Sequence, residues 1–462
     1  MMDRYKKLAS NTFIFAIGTF SSKLLVFLML PLYTRVLSSS EYGKLDLIVQ
    51  TCNILIPIVS AGILNAVIRF GLDNSTNKKS VFSIGLMINL LGVIGLIVFM
   101  PLLKRIDFIS EYIMYVYLFI LMSSLHSLCS NFTRSQEYIR LYALDGVLRT
   151  ALTIALNIIF LVVFKYGIAG YLLATIISDL ISAIMLFTVA KLYNYVSLNY
   201  IDKTTFKNML KYSIPLIPTT ISIWIISMSD RYILSYILGS GANGLYAIAY
   251  KVPTIITIVA GIFMDAWQIS AIDEYQKGDK GWFFSRVLNV YSSLLFCGAS
   301  VIVAFTKLIT RLLASPEFYI TWSYIPVLVM ATLFASLATF LASIYMMHKK
   351  SEYVFTTTTI SAIINIILNL HLIPKYGIQG ATIATLISYI CMFMIRAINT
   401  RKFMTVSWNI PKIILNIFII MIQTIIILLE IDNWFVYEII LVSVIALINA
   451  KDLLMGARRI IK

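Results

Sequence analysis

The sequence predicts an all-α polytopic membrane protein with about 14 transmembrane helices, arranged as two parallel six-helix lobes plus two additional C-terminal helices. Three observations lead to this fold class. First, the 462 residues are 60% hydrophobic and only 13% charged, with a mean hydropathy of +0.89, and so few charges do not cover the surface of a soluble protein. Second, the apolar residues form long runs. Third, two stretches 210 residues apart are near copies of each other.

The apolar runs are each long enough for a helix to cross the bilayer, which takes about 20 residues. The alternating ten-residue segments that a membrane β-barrel needs are absent from the sequence. The predicted spans cover, in order, residues 11–33, 44–69, 80–103, 112–132, 142–164, 168–190, 212–238, 245–271, 283–305, 322–346, 354–373, 377–398, 412–430 and 434–455.

The internal repeat divides the chain into lobes. Nine of the fifteen residues in 165–179 are identical to their counterparts in 375–389. The longest polar connection, about residues 191–211, separates spans six and seven, so both lobes begin on the same side of the membrane. Two related lobes around a central pathway are typical of transporters. We therefore predict an N-terminal lobe at 1–195, a C-terminal lobe at 196–400 and an additional two-helix segment at 401–462.

The basic residues predict the topology. The chain has 37 Lys and Arg against 21 Asp and Glu, a net charge of +16. When the loops are assigned alternately to two sides, the side with both termini holds 26 of the 37, counting Arg69, Arg149 and Arg396 as helix-end residues, and the opposite side holds 8. This positive-inside bias places both termini in the cytoplasm. The basic excess thus sets the topology and contacts anionic lipids of the bilayer, and we expect no nucleic-acid partner.

Three basic residues lie inside predicted spans, where a charge is costly and needs a functional or structural reason. We expect Lys23, Arg231 and Lys251 to line a water-filled cavity rather than to form buried structural pairs. In span eight, Lys251 and Asp265 fall on one face of a continuous helix, about 21 Å apart along its axis. Thr254 lies on the same face, which is predicted to border a water-filled path.

Other ionisable residues allow two interpretations each. Arg35, Arg69 and Arg149 lie at predicted helix ends, where snorkelling to the lipid head groups is the favoured interpretation. His126 lies among serines in span four, and a hydrogen-bonded packing role is favoured over a proton relay.

The acidic residues inside spans either couple transport to an ion or neutralise neighbouring cations. These residues are Asp179, Asp230 and Asp265. Asp230 is adjacent to Arg231, so on a helix their side chains point about 100° apart and Asp230 needs another partner.

Motifs for catalysis or for cofactors are absent from the sequence. There is no Gly-x4-Gly-Lys-Ser/Thr loop for ATP hydrolysis, no metal-binding spacing of His, Cys or Asp, and no legible Ser-His-Asp arrangement. We therefore expect a protein that is not an enzyme and has no cofactor or metal, with coupling to H⁺ or Na⁺ left open. The four cysteines lie far apart within spans, so we expect no disulfide.

Three motifs occur in order along the two lobes. They are Pro31 to Leu37 followed by Glu41-Tyr42-Gly43, Asp230 to Leu234 followed by Gly244 to Lys251, and Lys375 to Ala381. Together they resemble the signatures of bacterial polysaccharide repeat-unit flippases, a family of the multidrug/oligosaccharidyl-lipid/polysaccharide exporter superfamily, over about 400 residues. Many members of that family have twelve spans, and fourteen is nearer to its lipid II flippase branch.

The resemblance implies movement of undecaprenyl-diphosphate-linked oligosaccharide from the inner to the outer leaflet of the bacterial cytoplasmic membrane. This step serves the synthesis of O-antigen (lipopolysaccharide), capsule or exopolysaccharide. A polysaccharide polymerase and a chain-length regulator are the partners that it implies. Three alternatives stay open: a lipid II flippase, a multidrug exporter of the same superfamily, and a membrane-embedded polysaccharide polymerase or glycosyltransferase.

The resemblance and the charges inside the spans together predict a site, with the two lobes rocking to give alternating access. The residues expected to bind the diphosphate or anionic sugars are Lys23, Arg231, Lys251, Arg35 and Arg69. The candidates for ion coupling are Asp179, Asp230 and Asp265. The polar residues expected to line the cavity are Gln50, Asn53, Thr254 and Gln268.

Overall fold

The computed structural model describes residues 27–73, 75–275, 280–348, 350–404 and 407–460. Within these ranges the regular structure is helical, with 18 α-helices and no strand, which confirms the predicted all-α class. The first nine are α1 (Leu30–Val36), α2 (Ser39–Val59), α3 (Ile63–Gly71), α4 (Lys78–Leu103), α5 (Asp107–Ser110), α6 (Ile113–Ser135), α7 (Ile139–Asn157), α8 (Gly167–Val189) and α9 (Lys203–Ser213). The other nine are α10 (Leu216–Leu238), α11 (Ser240–Lys251), α12 (Thr254–Tyr275), α13 (Lys280–Ala304), α14 (Thr306–Leu313), α15 (Ile325–Met347), α16 (Ser351–Asn399), α17 (Ile410–Leu428) and α18 (Trp434–Ile460).

The described residues include ten helical segments long and apolar enough to cross a membrane, or eleven spans if the bent pair α11 and α12 is one. Together with the bent pair, the ten segments cover predicted spans two to thirteen, because α16 holds two predicted spans, one on each side of Gly377. The protein is therefore a multi-pass membrane protein. Most of predicted span one lies outside the described residues. Span fourteen is helical as α18 but is not among the ten.

Predicted span two, over 44–69, is broken into α2 and α3. The start of α2 is set by a capping box, in which Ser38 Oγ accepts a hydrogen bond from the Glu41 amide and the Glu41 carboxylate accepts one from the Ser38 amide. The two helices are separated at Gly62, which has a φ of 65°. A β-carbon on Gly62 would lie only 2.8 Å from the carbonyl oxygen of Ser213, so the close approach of α9 also requires glycine.

Predicted span eight is also broken, which corrects the expectation of one continuous helix over 245–271. Helix α11 ends at Lys251, α12 begins at Thr254, and the two helices are bent by 43°. Pro253 lies at the break, where its ring and missing N–H interrupt the helical hydrogen bonds. Lys251 and Asp265 consequently lie on different helices, and the straight shared face predicted for them is wrong.

The internal repeat has a structural basis at its glycines. Gly167 and Gly377 have φ angles of 55° and 58°, in the left-handed region that favours glycine. Gly167 begins α8, and Gly377 divides α16 at the corresponding position of the second copy. β-Carbons on Gly170 and Gly380 would lie 3.1 and 2.3 Å from backbone carbonyl oxygens of the preceding helical segments. The two copies therefore keep the same tight turn.

The chain forms two compact units, Met1–Trp224 and Ile225–Lys462. In the first, α6 packs against α3, α4, α7 and α8. In the second, α12, α13 and α15 pack around the stacked rings of Trp267, Tyr291 and Phe340, and α17 and α18 pack against α13. The division predicted from sequence, with boundaries at 195 and 400, stays a prediction.

Candidate functional site

In each unit, a largely buried cluster of charged and polar side chains contains one of the predicted coupling carboxylates. The first lies where α6, α7 and α8 meet, and the second is built from α10, α11 and α16. The Asp179 cluster consists of Ser123, His126, Ser130, Asp145, Arg149 and Asp179. The Asp230 cluster consists of Asp230, Arg231, Tyr246, Tyr250, Asn365, Thr385 and Tyr389.

The Asp179 carboxylate is fully buried and accepts hydrogen bonds from two neighbouring helices. Ser123 Oγ on α6 bonds to one carboxylate oxygen, and Arg149 Nε on α7 bonds to the other. The Arg149 side chain is 40% exposed whereas that of Asp179 is 0% exposed. Arg149 therefore compensates a charge that solvent does not reach. The sequence-based interpretation of Arg149 as a helix-end residue that snorkels is wrong, since it lies inside α7 and pairs with Asp179.

A second pair in the same cluster joins His126 on α6 to Asp145 on α7. Their Nε2 and Oδ2 atoms are 2.9 Å apart, and Ser130 Oγ lies 3.5 Å from the same carboxylate oxygen. The other oxygen of Asp145 is buried and has no hydrogen-bond partner in the described structure. His126 is thus hydrogen-bonded, as its surroundings predicted, but to a carboxylate that the sequence did not single out.

Asp230 lies on α10, is 2% exposed, and is held mainly by hydroxyl groups. Its Oδ2 atom accepts hydrogen bonds from the Tyr246 hydroxyl and, at 3.3 Å, from Thr385 Oγ1. Its Oδ1 atom accepts one from the backbone N–H of Arg231 at 3.0 Å. The prediction that Asp230 needs partners other than the Arg231 side chain agrees with these contacts. Hydroxyls on α11 and α16 supply the partners.

Around this carboxylate lie a buried cation and further oxygen and amide groups. Arg231 is 5% exposed, and its guanidinium carbon lies 5.7 Å from the ring centroid of Tyr250, a favourable cation–π contact. Tyr250 and Tyr389 are neighbours in the cluster. Asn365 donates from Nδ2 to Thr385 at 3.5 Å. The cluster therefore combines one buried anion, one buried cation and several neutral oxygen atoms.

The other residues predicted to bind substrate are more dispersed. Lys251 is half-buried at the end of α11 and follows Tyr250 of the Asp230 cluster. Arg35 and Arg69 are exposed in the last turns of α1 and α3. Lys23 lies outside the described residues. The structure thus places Arg231 in the Asp230 cluster and Lys251 one residue after Tyr250 of that cluster, whereas Arg35 and Arg69 belong to neither cluster.

The residues predicted to line a cavity also differ in position. Gln50 is half-buried, and its carbonyl oxygen accepts a hydrogen bond from the indole of Trp224 at 3.2 Å, whereas Asn53 is exposed. The Thr254 hydroxyl donates to the carbonyl oxygen of Lys251 across the break between α11 and α12. The side chains of Asp265 and Gln268 lie outside the described residues.

Sequence reasoning missed several buried polar groups. Arg396, counted as a cytoplasmic helix-end residue, is 3% exposed and donates to the hydroxyls of Thr357 and Thr358 and to the carbonyl oxygen of Ala338. It lies in the last turn of α16, as the sequence predicted, but is buried against α15. The sequence signal for its partners is the run of four threonines within predicted span eleven, residues 356–359.

The many apolar helices define a multi-pass membrane protein, and its helical arrangement is similar to those of two solved membrane proteins. The chain is similar to the structure of lipid II flippase MurJ in an inward closed conformation, with a TM-score of 0.71, 16% identity, and coverage of 97% of this chain and 100% of that one. It is also similar to the inward-facing conformation of a multidrug resistance MATE family transporter of the MOP superfamily, with a TM-score of 0.65, 15% identity, and coverage of 84% of this chain and 98% of that one. At these identities the likeness shows the fold.

The family is shown by sequence. Residues 8–268, more than half of the chain, match the family described as polysaccharide biosynthesis protein, and the chain belongs to that family. An uncharacterized membrane protein of Methanocaldococcus jannaschii, MJ1375, is 27% identical over 260 residues, which are 52% of this chain. The chain spans 59% of the length of that relative.

Proposed function

We propose that the protein flips undecaprenyl-diphosphate-linked oligosaccharide repeat units from the inner to the outer leaflet by alternating access, for surface polysaccharide synthesis. The observation that carries the proposal is the family match over residues 8–268, which includes all three predicted intramembrane cations, Lys23, Arg231 and Lys251. A cation inside a membrane span marks a substrate or ion pathway by default. The diphosphate is the part of the substrate that would bind such a cation.

The proposed mechanism separates the charged and apolar parts of the substrate. Arg231, with Lys251 one position beyond Tyr250, holds the diphosphate, and the lipid tail stays in the bilayer. Arginine suits this role because its planar guanidinium forms paired hydrogen bonds to phosphate oxygens. Lys23, and Arg35 and Arg69 near the openings, remain further candidates. Rocking of the two lobes would then alternate access to the two leaflets.

Of the two predicted coupling carboxylates whose side chains the structure describes, Asp179 and Asp230, the second has the environment better suited to a small cation. Asp179 is already paired with Arg149, whereas Asp230 is surrounded by the hydroxyls of Tyr246 and Thr385. Carboxylate and hydroxyl oxygens are hard ligands that suit H⁺ or Na⁺. Binding of either ion would change the charge next to Arg231 and so its hold on an anionic substrate.

The proposed setting is the bacterial cytoplasmic membrane with both termini in the cytoplasm. A polysaccharide polymerase and a chain-length regulator are the proposed partners. The test is complementation of a strain that lacks the protein. Arg231→Ala and Lys251→Ala are expected to insert normally but to abolish surface polysaccharide and accumulate lipid-linked units. Lys203→Ala on α9, an exposed cation outside both clusters, is the matched control and is expected to restore export. Normal surface polysaccharide with both Arg231→Ala and Lys251→Ala would refute the proposal.

A lipid II flippase is the second candidate. It is favoured by the likeness to lipid II flippase MurJ, which extends over 97% of this chain and so includes α17 and α18. Depletion of the host lipid II flippase distinguishes the two substrates. Rescue of growth in that strain would favour lipid II, whereas rescue of surface polysaccharide alone favours repeat units.

A further inference from the structure

We propose that a basic cavity in the first unit binds the phosphate head group of an anionic phospholipid from the cytoplasmic leaflet. The cavity has a volume of about 1150 Å³. It is lined by residues of α4, α7 and the end of α8, and by the connections before α7 and after α8. None of its lining residues belongs to the Asp179 or Asp230 cluster. It is therefore separate from the proposed transport site.

The lining of the cavity is basic. Lys79, Arg140 and Lys191 line it together with a single carboxylate, that of Glu137. All three cations are exposed, and none forms an ion pair within the described part of the chain. Lys79 Nζ lies 5.2 Å from the ring centroid of Tyr200, which leaves its N–H groups available at the cavity edge. Like charges gathered in one concave surface attract an anion.

The helices around the cavity add to its positive potential. Lys79 lies in the first turn of α4 and Arg140 in the first turn of α7. A helix N-terminus carries a partial positive charge, so cations there are disfavoured unless an anion is nearby. No side chain caps the first turn of α7. Lys79 and Arg140 therefore occupy positions that a bound phosphate would stabilise.

The surface beside the cavity indicates a lipid rather than free phosphate. Starting one turn beyond Arg140, exposed apolar side chains follow one face of α7 and its continuation at intervals of three or four residues. These residues are Leu144, Val147, Ala151, Ala155, Ile158 and Val162. An acyl chain laid along this face would place its phosphate at Arg140. The positive-inside bias puts all three cations on the cytoplasmic side, where anionic lipids attract basic residues.

The test compares two triple variants with the same change in charge. Lys79→Gln/Arg140→Gln/Lys191→Gln removes the cavity cations. Lys203→Gln/Lys207→Gln/Lys211→Gln removes three exposed lysines that share one face of α9 and do not line the cavity. Native mass spectrometry of the purified full chain, titrated with phosphatidylglycerol or phosphatidylcholine, measures lipid retention. Unfolding midpoints of both variants check that each is folded.

The cavity variant is expected to bind phosphatidylglycerol about 100-fold more weakly, since each basic residue near an anionic head group contributes about fivefold. In the α9 variant, the affinity for phosphatidylglycerol should change by less than about threefold. Phosphatidylcholine should show no selective binding, and its binding should not depend on the cavity cations. An equal loss of phosphatidylglycerol affinity in both triple variants, or no loss in either, overturns the proposal. So does tighter, cavity-dependent binding of undecaprenyl diphosphate than of phosphatidylglycerol, which would make the cavity a docking site for substrate. The readout is lipid retention, so failure here leaves the export test unaffected.

Discussion

Replacing Arg149 is expected to destabilise the protein more than replacing Asp179, although the two residues form one ion pair. Arg149→Met leaves the Asp179 carboxylate, which is 0% exposed, with only the Ser123 hydroxyl as a side-chain partner. An uncompensated buried charge costs about 3 kcal/mol. Asp179→Asn leaves an arginine whose side chain is already 40% exposed. Solvent can hydrate that cation, so the expected cost is only about 1 kcal/mol.

The double variant tests whether the cost of Arg149→Met comes from the buried Asp179 charge. Once Asp179→Asn removes the buried charge, the absence of the arginine matters little, so Arg149→Met/Asp179→Asn should be more stable than Arg149→Met alone by about 2 kcal/mol. Equilibrium unfolding in detergent micelles measures all three variants. Lys203→Met, which removes an exposed cation from α9, serves as the control with an expected change near zero. Equal costs for the two single variants, or no rescue in the double variant, would refute the buried-pair account.

Three other outcomes test particular parts of the fold. Gly380→Ala should lower the midpoint of thermal unfolding strongly, because its β-carbon would lie 2.3 Å from the Leu372 carbonyl oxygen. In the same scan, Gly298→Ala in α13 should be neutral or slightly stabilising, because a β-carbon there would have no atom within 4 Å. Arg396→Met should destabilise by about 2 kcal/mol or more in denaturant unfolding, since two threonine hydroxyls and a backbone carbonyl lose their buried donor. Hydrogen bonds from the first turn of α9 lower the pKa of Asp202, so its capping stability is complete above the ordinary aspartate pKa and is lost as pH falls through the lowered value. Hydrogen exchange of the α9 amides should show this acid dependence, and Asp202→Asn, which still caps the helix, should abolish it.

Hydropathy was sufficient to predict the class of fold because crossing a bilayer requires long apolar helices. The sequence repeat corresponds to a shared turn in the structure, since Gly167 and Gly377 adopt the same left-handed conformation. Hydropathy predicted the spans but not the breaks within spans two and eight. A hydropathy run does not register a turn at Gly62 or a proline at Pro253 when the flanking residues are apolar.

The candidate site was predicted only where charge alone was informative. Asp230 and Arg231 stood out because ionised groups inside a span are costly. Their partners did not stand out, because hydroxyls such as those of Tyr246 and Thr385 are common in membrane helices and lie 16 and 155 residues away in sequence. Arg149 was misread because position near a span end does not reveal which neighbouring helix faces it.

The central claim is that intramembrane cations carry a lipid-linked diphosphate across the bilayer, and flipping in reconstituted proteoliposomes tests it most directly. Undecaprenyl-diphosphate-linked oligosaccharide is incorporated in both leaflets, and the fraction accessible to an external sugar-modifying enzyme is followed with time. The account predicts that the unmodified protein makes nearly all of the substrate accessible, whereas Arg231→Ala leaves the inner-leaflet share protected. Equal accessibility with the two proteins would contradict the claim.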